Sequence, residues 1–323
     1  LEIAMAANSL LKPATTVRVH VPASTSNLGP GFDAFGCALK LKNTFNWRVI
    51  ERGESPGIIL SGPESAGLPA GNSNLAWTAA ERLFAEAGLP ADTMNRLELR
   101  ATINIPQARG LGSSSTAIVG GLVGASTLLR KRWTEEQLLE LAVEIEGHAD
   151  NVSAALLGGI TVSATGTKPL LCRKYRVHPS VSFVIVVPDY HVKTADARGV
   201  LPTMYARADA VHNLSRTPLI LDAMRTGKLD RLHELFEDKL HQPFRRPLYR
   251  KYNELEKAAL SAGAAAFCVS GAGPSMLAVM HRAKAAQVRA RLSRELARLG
   301  ITGRVLELRP SAQGSRATLR RAV

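Results

Sequence analysis

The chain has 323 residues, 46% hydrophobic and 21% charged, proportions that exclude a disordered or coiled-coil protein and allow one large or two medium domains with a substantial core. Lysine and arginine number 41 against 27 aspartates and glutamates, a net +14 that suits a polyanion or a phosphorylated small molecule without choosing between them. Cys37, Cys172 and Cys268 are too widely spaced for a disulfide framework or a CxxC metal knuckle, so a reducing cytoplasm is expected.

Leu1–Ala14 lacks a basic region followed by an apolar core and a cleavage site, so no signal peptide is expected and the segment is left out of the fold. Val17, Val19 and Val21 alternate as in a strand, which Pro22 ends, and Gly29, Pro30 and Gly31 shape a loop. Thr44–Ile50, Gly57–Leu60 and Leu97–Ile105 are further short strands, and Asn74–Ala87 has helical periodicity. Ser113–Arg130 predicts a helix of small residues. Thr134–Gly147 predicts another, with Thr134 and Gln137 as a capping box, Leu138, Leu141, Ala142 and Ile145 on one face, and Gly147 as its stop. In the second half Val181–Val187 is an apolar strand, Asp209–Met224 and Leu229–Leu240 are helical, and Ala265–Val269 and Met276–Val279 flank a glycine turn. The longest uncharged run, Ala258–Met280, is broken by Gly263, Gly271, Gly273 and Pro274, so no membrane span is expected. The arginine-rich Arg304–Val323 stretch reads as a solvated tail with loosely held last residues. An α+β protein of two units follows: residues 15–167, residues 168–310, and a basic tail over 311–323, with the boundary where Gly, Thr and Pro cluster in Thr165–Pro169.

The most informative segment is Pro106-Gln107-Ala108-Arg109-Gly110-Leu111-Gly112-Ser113-Ser114-Ser115-Thr116, after a strand and at the opening of a helix. A Walker loop would carry a lysine after its last glycine, where this chain has serines. Gly110 and Gly112 let backbone close around an anion, the amides that follow sit at a helix N-terminus, and the hydroxyls add donors or a metal ligand, which together suit a triphosphate. Taken alone, such a stretch is more readily a serine-capped glycine turn. The whole segment, however, resembles the nucleotide-binding signature of the GHMP kinases. Two more segments agree in order and position, so that the resemblance runs from Val17 to about Leu308: Val21–Asp33, similar to the N-terminal motif of the homoserine kinases within that family, and Phe267–Ala278, similar to its C-terminal glycine motif.

The resemblance implies the GHMP kinase fold, with an N-terminal ribosomal S5 domain 2-like unit and a C-terminal ferredoxin-like unit. It implies transfer of phosphate from ATP, with Mg²⁺, to the side-chain hydroxyl of L-homoserine. It places the nucleotide on Pro106, Gly110, Leu111, Gly112, Ser113, Ser114, Ser115 and Thr116. It assigns Mg²⁺ to Glu144, with Ser113 or Ser114, although Glu146 lies one register step away. For the acceptor it implies Asp33 toward the ammonium, Arg198 and Arg245 toward the carboxylate, and Asn27, His148, Asn151 and Thr194 nearby. Asp150 matches the general base of some relatives, whereas homoserine kinases are thought to manage without one, so the base stays open. Arg198 is expected as the main clamp because its planar fork grips a carboxylate bidentately. Small-molecule partners, no nucleic acid or membrane partner, a cytoplasmic setting and a possible homodimer complete these expectations. Two other readings remain: a GHMP kinase for mevalonate or a sugar, and an RNA-binding protein, which the 5% aromatic content disfavours.

Overall fold

The computed structural model describes residues 11–130 and 133–320. In the first half, β1 (Thr16–Ser26) and β2 (Phe35–Val49) pair antiparallel over nearly their whole length. The long second strand then meets β4 (Leu97–Thr102) through Thr44–Val49 and β5 (Ile160–Ala164) through Phe35–Cys37, while β3 (Gly57–Ser61) runs parallel to β4. The predicted alternation holds: Val17, Val19 and Val21 are buried, and Val17 and Val19 lie opposite Trp47 and Phe45. Four helices, α1 (Leu75–Glu86), α2 (Ser113–Leu128), α3 (Glu135–Glu146) and α4 (Asp150–Leu157), share an apolar core with this sheet.

Why α2 consists of small residues is visible in its neighbours. A Cβ on Gly120 would sit 2.3 Å from the Phe45 ring, one on Gly121 2.2 Å from the Ala76 carbonyl, and one on Gly124 2.3 Å from Trp47 Nε1. Interior glycines cost a helix about 1 kcal/mol each, and here they let it approach both sheet and α1. The predicted capping box is present at the start of α3, and Gly147 ends that helix in the left-handed region.

The second half forms a four-stranded antiparallel sheet in the order β10-β7-β9-β8, from β7 (Val181–Pro188), β8 (Ala266–Val269), β9 (Met276–His281) and β10 (Gly303–Leu308). Counted along the chain this is fourth, first, third, second, the ferredoxin-like order. Its helices are α5 (Thr194–Gly199), α6 (Arg207–Thr226), α7 (Leu232–Leu235), α8 (Gln242–Arg245), α9 (Tyr252–Ser261) and α10 (Ala285–Arg298). Every residue of β7 is buried because it faces two cores. Phe183, Ile185 and Val187 join Leu28, Phe35 and Leu39 of the first half, while Val184 and Val186 join Leu255 and Leu292. That shared seam fixes the two halves against each other.

The structure corrects several expectations. A sixth strand, β6 (Leu171–Tyr175), pairs with β5, so the first sheet continues past the expected boundary at residues 167–168. The expected basic tail supplies β11 (Arg316–Arg320), which pairs antiparallel with β1 and returns the chain to the first sheet; its last three residues lie outside the described range. Of the segment set aside at the start, residues 1–10 are likewise outside, yet Leu11 packs in the first core. Only Leu232–Leu235 of the expected Leu229–Leu240 helix forms, because the Asp238 carboxylate draws the backbone N–H groups of Leu240, His241 and Gln242 into a turn. Among the described residues no helix is long and apolar enough to cross a membrane.

Candidate active site

At the N-terminus of α2, Gly110 and Gly112 have φ of +69° and +67°. Side chains are excluded there by contact as well as conformation: a Cβ on Gly110 would lie 2.0 Å from the Ser270 carbonyl, and one on Gly112 2.1 Å from Ser24 Oγ. The loop is tied down on both flanks. Ser24 N donates to Leu111 O at 3.2 Å, Ser270 Oγ donates to Gly110 O at 2.6 Å, and Arg109 donates to the carbonyls of Pro188 and Asp189 at 2.6 Å each. Beside it opens a cavity of ≈ 490 Å³. Gly110, Leu111, Gly112, Ser113 and Ser114 line this cavity, whereas the expected Pro106, Ser115 and Thr116 do not. Thr116 is a buried brace: its hydroxyl donates to Ser113 O at 2.7 Å and accepts from Asn43 Nδ2 at 2.8 Å.

Glu144, the carboxylate first expected to hold a metal, stands outside the cavity. Its side chain is 62% exposed and meets Arg82 at 3.3 Å. Glu146 faces the cradle instead: Ser114 Oγ and Ser115 Oγ both donate to its Oε1, at 2.7 and 2.8 Å, and its side chain is 9% exposed. Ser113 also lines the cavity, so one carboxylate and the serine hydroxyls stand together at the helix start.

The cavity's other end gathers the remaining expected residues: Asn27, Asp33, His148, Asp150, Asn151, Thr194, Arg198 and Arg245 all line it. Each end of the Asn27 amide holds backbone: Nδ2 donates to Gly271 O at 2.9 Å and Oδ1 accepts from Asp33 N at 3.0 Å. Asn151 is held between Ser24 Oγ, which donates to its Oδ1, and Ser26 Oγ, which accepts from its Nδ2, both at 2.9 Å. His148 Nδ1 lies 2.7 Å from Asp150 Oδ1. Burial opposes charge on both groups, yet their mutual hydrogen bond and attraction hold the Asp150 carboxyl below and the His148 imidazole above their ordinary pKa values. Asp33 and Arg198 are paired with each other, at 2.8 and 3.0 Å.

Arg245 is the deepest cation of the site, 2% exposed, with Nε donating to Ala197 O at 2.8 Å and Nη1 3.3 Å from His241 Nδ1. His241 Nε2 is 2.8 Å from the Gly29 carbonyl, which can only accept, so Nε2 carries the hydrogen and Nδ1 offers its lone pair to Arg245. A proton on Nδ1 would set donor against donor in a fully buried place. Burial accordingly pushes the His241 pKa below its ordinary value, outweighing the pull of Asp238 and the Gly29 carbonyl. Below about pH 6.5 the unfolded chain therefore binds a proton that the native state refuses, and stability falls as pH falls. Thermal denaturation between about pH 7 and 5 is expected to show a declining melting temperature, with a shallower decline in His241→Gln. Equal slopes would remove His241 as the cause.

The cavity's apolar end is formed by residues that carry no motif in the sequence. Phe45, Leu60, Leu68, Leu75, Ala101 and Ile103 line it from β2, β3, β4, α1 and the loops beside them. The sequence predicts strands over Thr44–Ile50 and Leu97–Ile105, but nothing local to it shows that these elements meet beside the glycine loop. The result is one continuous cleft with an apolar end, the N-terminus of α2 at its middle and an end of mixed charge.

Comparison with known proteins gives concordant findings. The profile of the GHMP kinases N terminal domain matches residues 74–159, and that of the GHMP kinases C terminal matches residues 220–298. The homoserine kinase of a Synechococcus strain is 41% identical over 308 residues, 94% of this chain and 96% of that protein. The homoserine kinase of Moorella thermoacetica is 40% identical over 297 residues, 92% of this chain and 98% of that one. Among solved structures, homoserine kinase from Cytophaga hutchinsonii superposes with a TM-score of 0.82 at 25% identity, covering 94% of this chain and 97% of its own.

Proposed function

The chain belongs to the GHMP kinase family, and from that premise we propose that it transfers the γ-phosphoryl group of ATP to the side-chain hydroxyl of L-homoserine, giving O-phospho-L-homoserine and ADP. The observation that carries this reading is the cleft itself: the helix N-terminus at Gly112–Ser114 opens directly onto a pocket lined by the Asp33 carboxylate and two guanidiniums, Arg198 and Arg245. Its curated relatives, named homoserine kinases, point to the same acceptor. A zwitterionic amino alcohol satisfies both signs of charge. Mevalonate offers no ammonium to Asp33, and a sugar offers no charge to any of the three.

Phosphoryl transfer needs positioning and charge stabilisation more than covalent participation by the protein. In this reading the backbone N–H groups at the start of α2 hold the terminal phosphate oxygens, and the apolar end of the cleft takes the nucleoside. The acceptor oxygen attacks phosphorus as the bond to the bridging oxygen of ADP breaks, and its proton is lost late, to the phosphate. Asp150 is a poor base for it: it already accepts hydrogen bonds from His148 and from the Asn151 backbone, both at 2.7 Å, and its pKa is held low. It orients His148 instead. Mg²⁺ fits the residues present: a divalent ion that takes most of its oxygens from phosphates and water needs only a carboxylate and a hydroxyl from the protein, and Glu146 with Ser113 or Ser114 offers them. When bound, the ion neutralises charge developing on the phosphates. A cytoplasmic setting, where ATP is available and three cysteines remain free, completes the proposal.

The test is ADP release from ATP and Mg²⁺ with a panel of acceptors. Homoserine is expected to support it and mevalonate and galactose are not; release with either of those, and not with homoserine, would overturn the reading.

A further inference from the structure

Asp33 and Arg198 come from opposite halves of the molecule, one from the loop between β1 and β2 and the other from α5. Arg198 Nη1 and Nη2 donate to Asp33 Oδ2 and Oδ1 at 3.0 and 2.8 Å, so both carboxylate oxygens are engaged by one planar fork. The two side chains are 39% and 34% exposed and both line the acceptor end of the cleft, within reach of a small ligand. The Asp33 end is rigid. Its backbone has φ +56° and its N–H is fixed to Asn27 Oδ1. On the Arg198 side, the guanidinium lies 5.9 Å from the centroid of the Phe32 ring, which also stacks on His241.

Resting on the kinase reading above, we propose that this ion pair is a displaceable latch that makes the pocket selective for zwitterions. A ligand with both charges exchanges one internal pair for two external ones, ammonium on Asp33 and carboxylate on Arg198, and gains a pair. A ligand with a single charge that engages this pair gains one contact and breaks one, leaving the other member stranded, and so gains nothing from it. Two independent anchors would lose affinity step by step as each ligand charge is removed, whereas the latch penalises removal of the first charge most. It also predicts something independent anchors do not: deleting one member of the pair improves binding of the matching half-ligand.

The experiment measures binding by calorimetry without nucleotide, using two truncated acceptors: an aminopropanol, which is homoserine without its carboxylate, and a hydroxybutyrate, which is homoserine without its ammonium. Arg198→Met frees Asp33 and is expected to bind the aminopropanol about threefold to tenfold more tightly than the wild type, the range for a partly shielded ion pair. Asp33→Asn is expected to bind the hydroxybutyrate more tightly by a similar factor. Arg198→Lys keeps the charge without the fork and should show a smaller gain. The latch is refuted if folded variants bind their half-ligands no better than the wild type, or if Arg198→Lys behaves as wild type while Arg198→Met gains, which would make the effect one of local field. Should one variant fail to fold, the other arm decides. Turnover of homoserine by the wild type is read separately, so loss of the latch and loss of the kinase reading are distinguishable.

Discussion

Glu146→Gln is expected to lower kcat/KM by about a hundredfold or more, whereas Glu144→Gln, two residues earlier on the same helix, is expected to stay within about twofold of the wild type. The glutamine keeps Oε1, so Ser114 and Ser115 retain their acceptor and the loop keeps its shape. What disappears is the negative charge beside the phosphate cradle, on which the proposed hold on Mg²⁺ depends. The Mg²⁺ concentration for half-maximal rate should therefore rise in the Glu146 variant with little change in melting temperature. Glu144 loses only an exposed pair with Arg82, of the kind worth at most about 1 kcal/mol to stability. Should the Glu144 variant be the impaired one, the metal assignment would revert to the residue that the family resemblance implied.

That pair of glutamates shows where reading the sequence reaches its end. The apolar stripe of α3, Leu138, Leu141, Ala142 and Ile145, is legible from spacing alone. On a helix of 3.6 residues per turn, Glu144 and Glu146 flank this stripe on opposite sides, and nothing in the helix distinguishes the flanks. The distinction is tertiary: Arg82 of α1 lies on one side and the N-terminus of α2 on the other. The proposed phosphate cradle stands out in the sequence because its glycines, hydroxyls and helix start are contiguous. The Asp33–Arg198 pair joins residues 165 positions apart, and no local pattern foretells it. Strand β11 is hidden in the sequence for another reason. Arg316–Arg320 is a sheet edge, exposed along most of its length, and its alternation is confined to Ala317 and Leu319 among polar residues, too short a pattern to separate it from a solvated tail.

Gly110→Ala is expected to destabilise the protein by about 2–5 kcal/mol and to raise KM for ATP at least about tenfold, because two penalties act at one atom. A left-handed backbone costs an L side chain about 1–2 kcal/mol, and the new Cβ would also fall 2.0 Å from the Ser270 carbonyl and 3.1 Å from Gly273 N, both backbone atoms. Neither can rotate away, so either the cradle or the Ser270–Gly273 turn must move. Since Ser270 Oγ donates to Gly110 O, movement breaks the contact that seats the cradle of the first half on the turn between β8 and β9. Gly147→Ala is the internal control. Gly147 has φ +86° but no atom within 4 Å of its added Cβ, so it meets the strain without the overlap. Its cost should be about 1 kcal/mol, with KM for ATP nearly unchanged. Equal losses of stability and of nucleotide affinity in the two variants would show that backbone strain, and not the contact between the halves, governs the cradle.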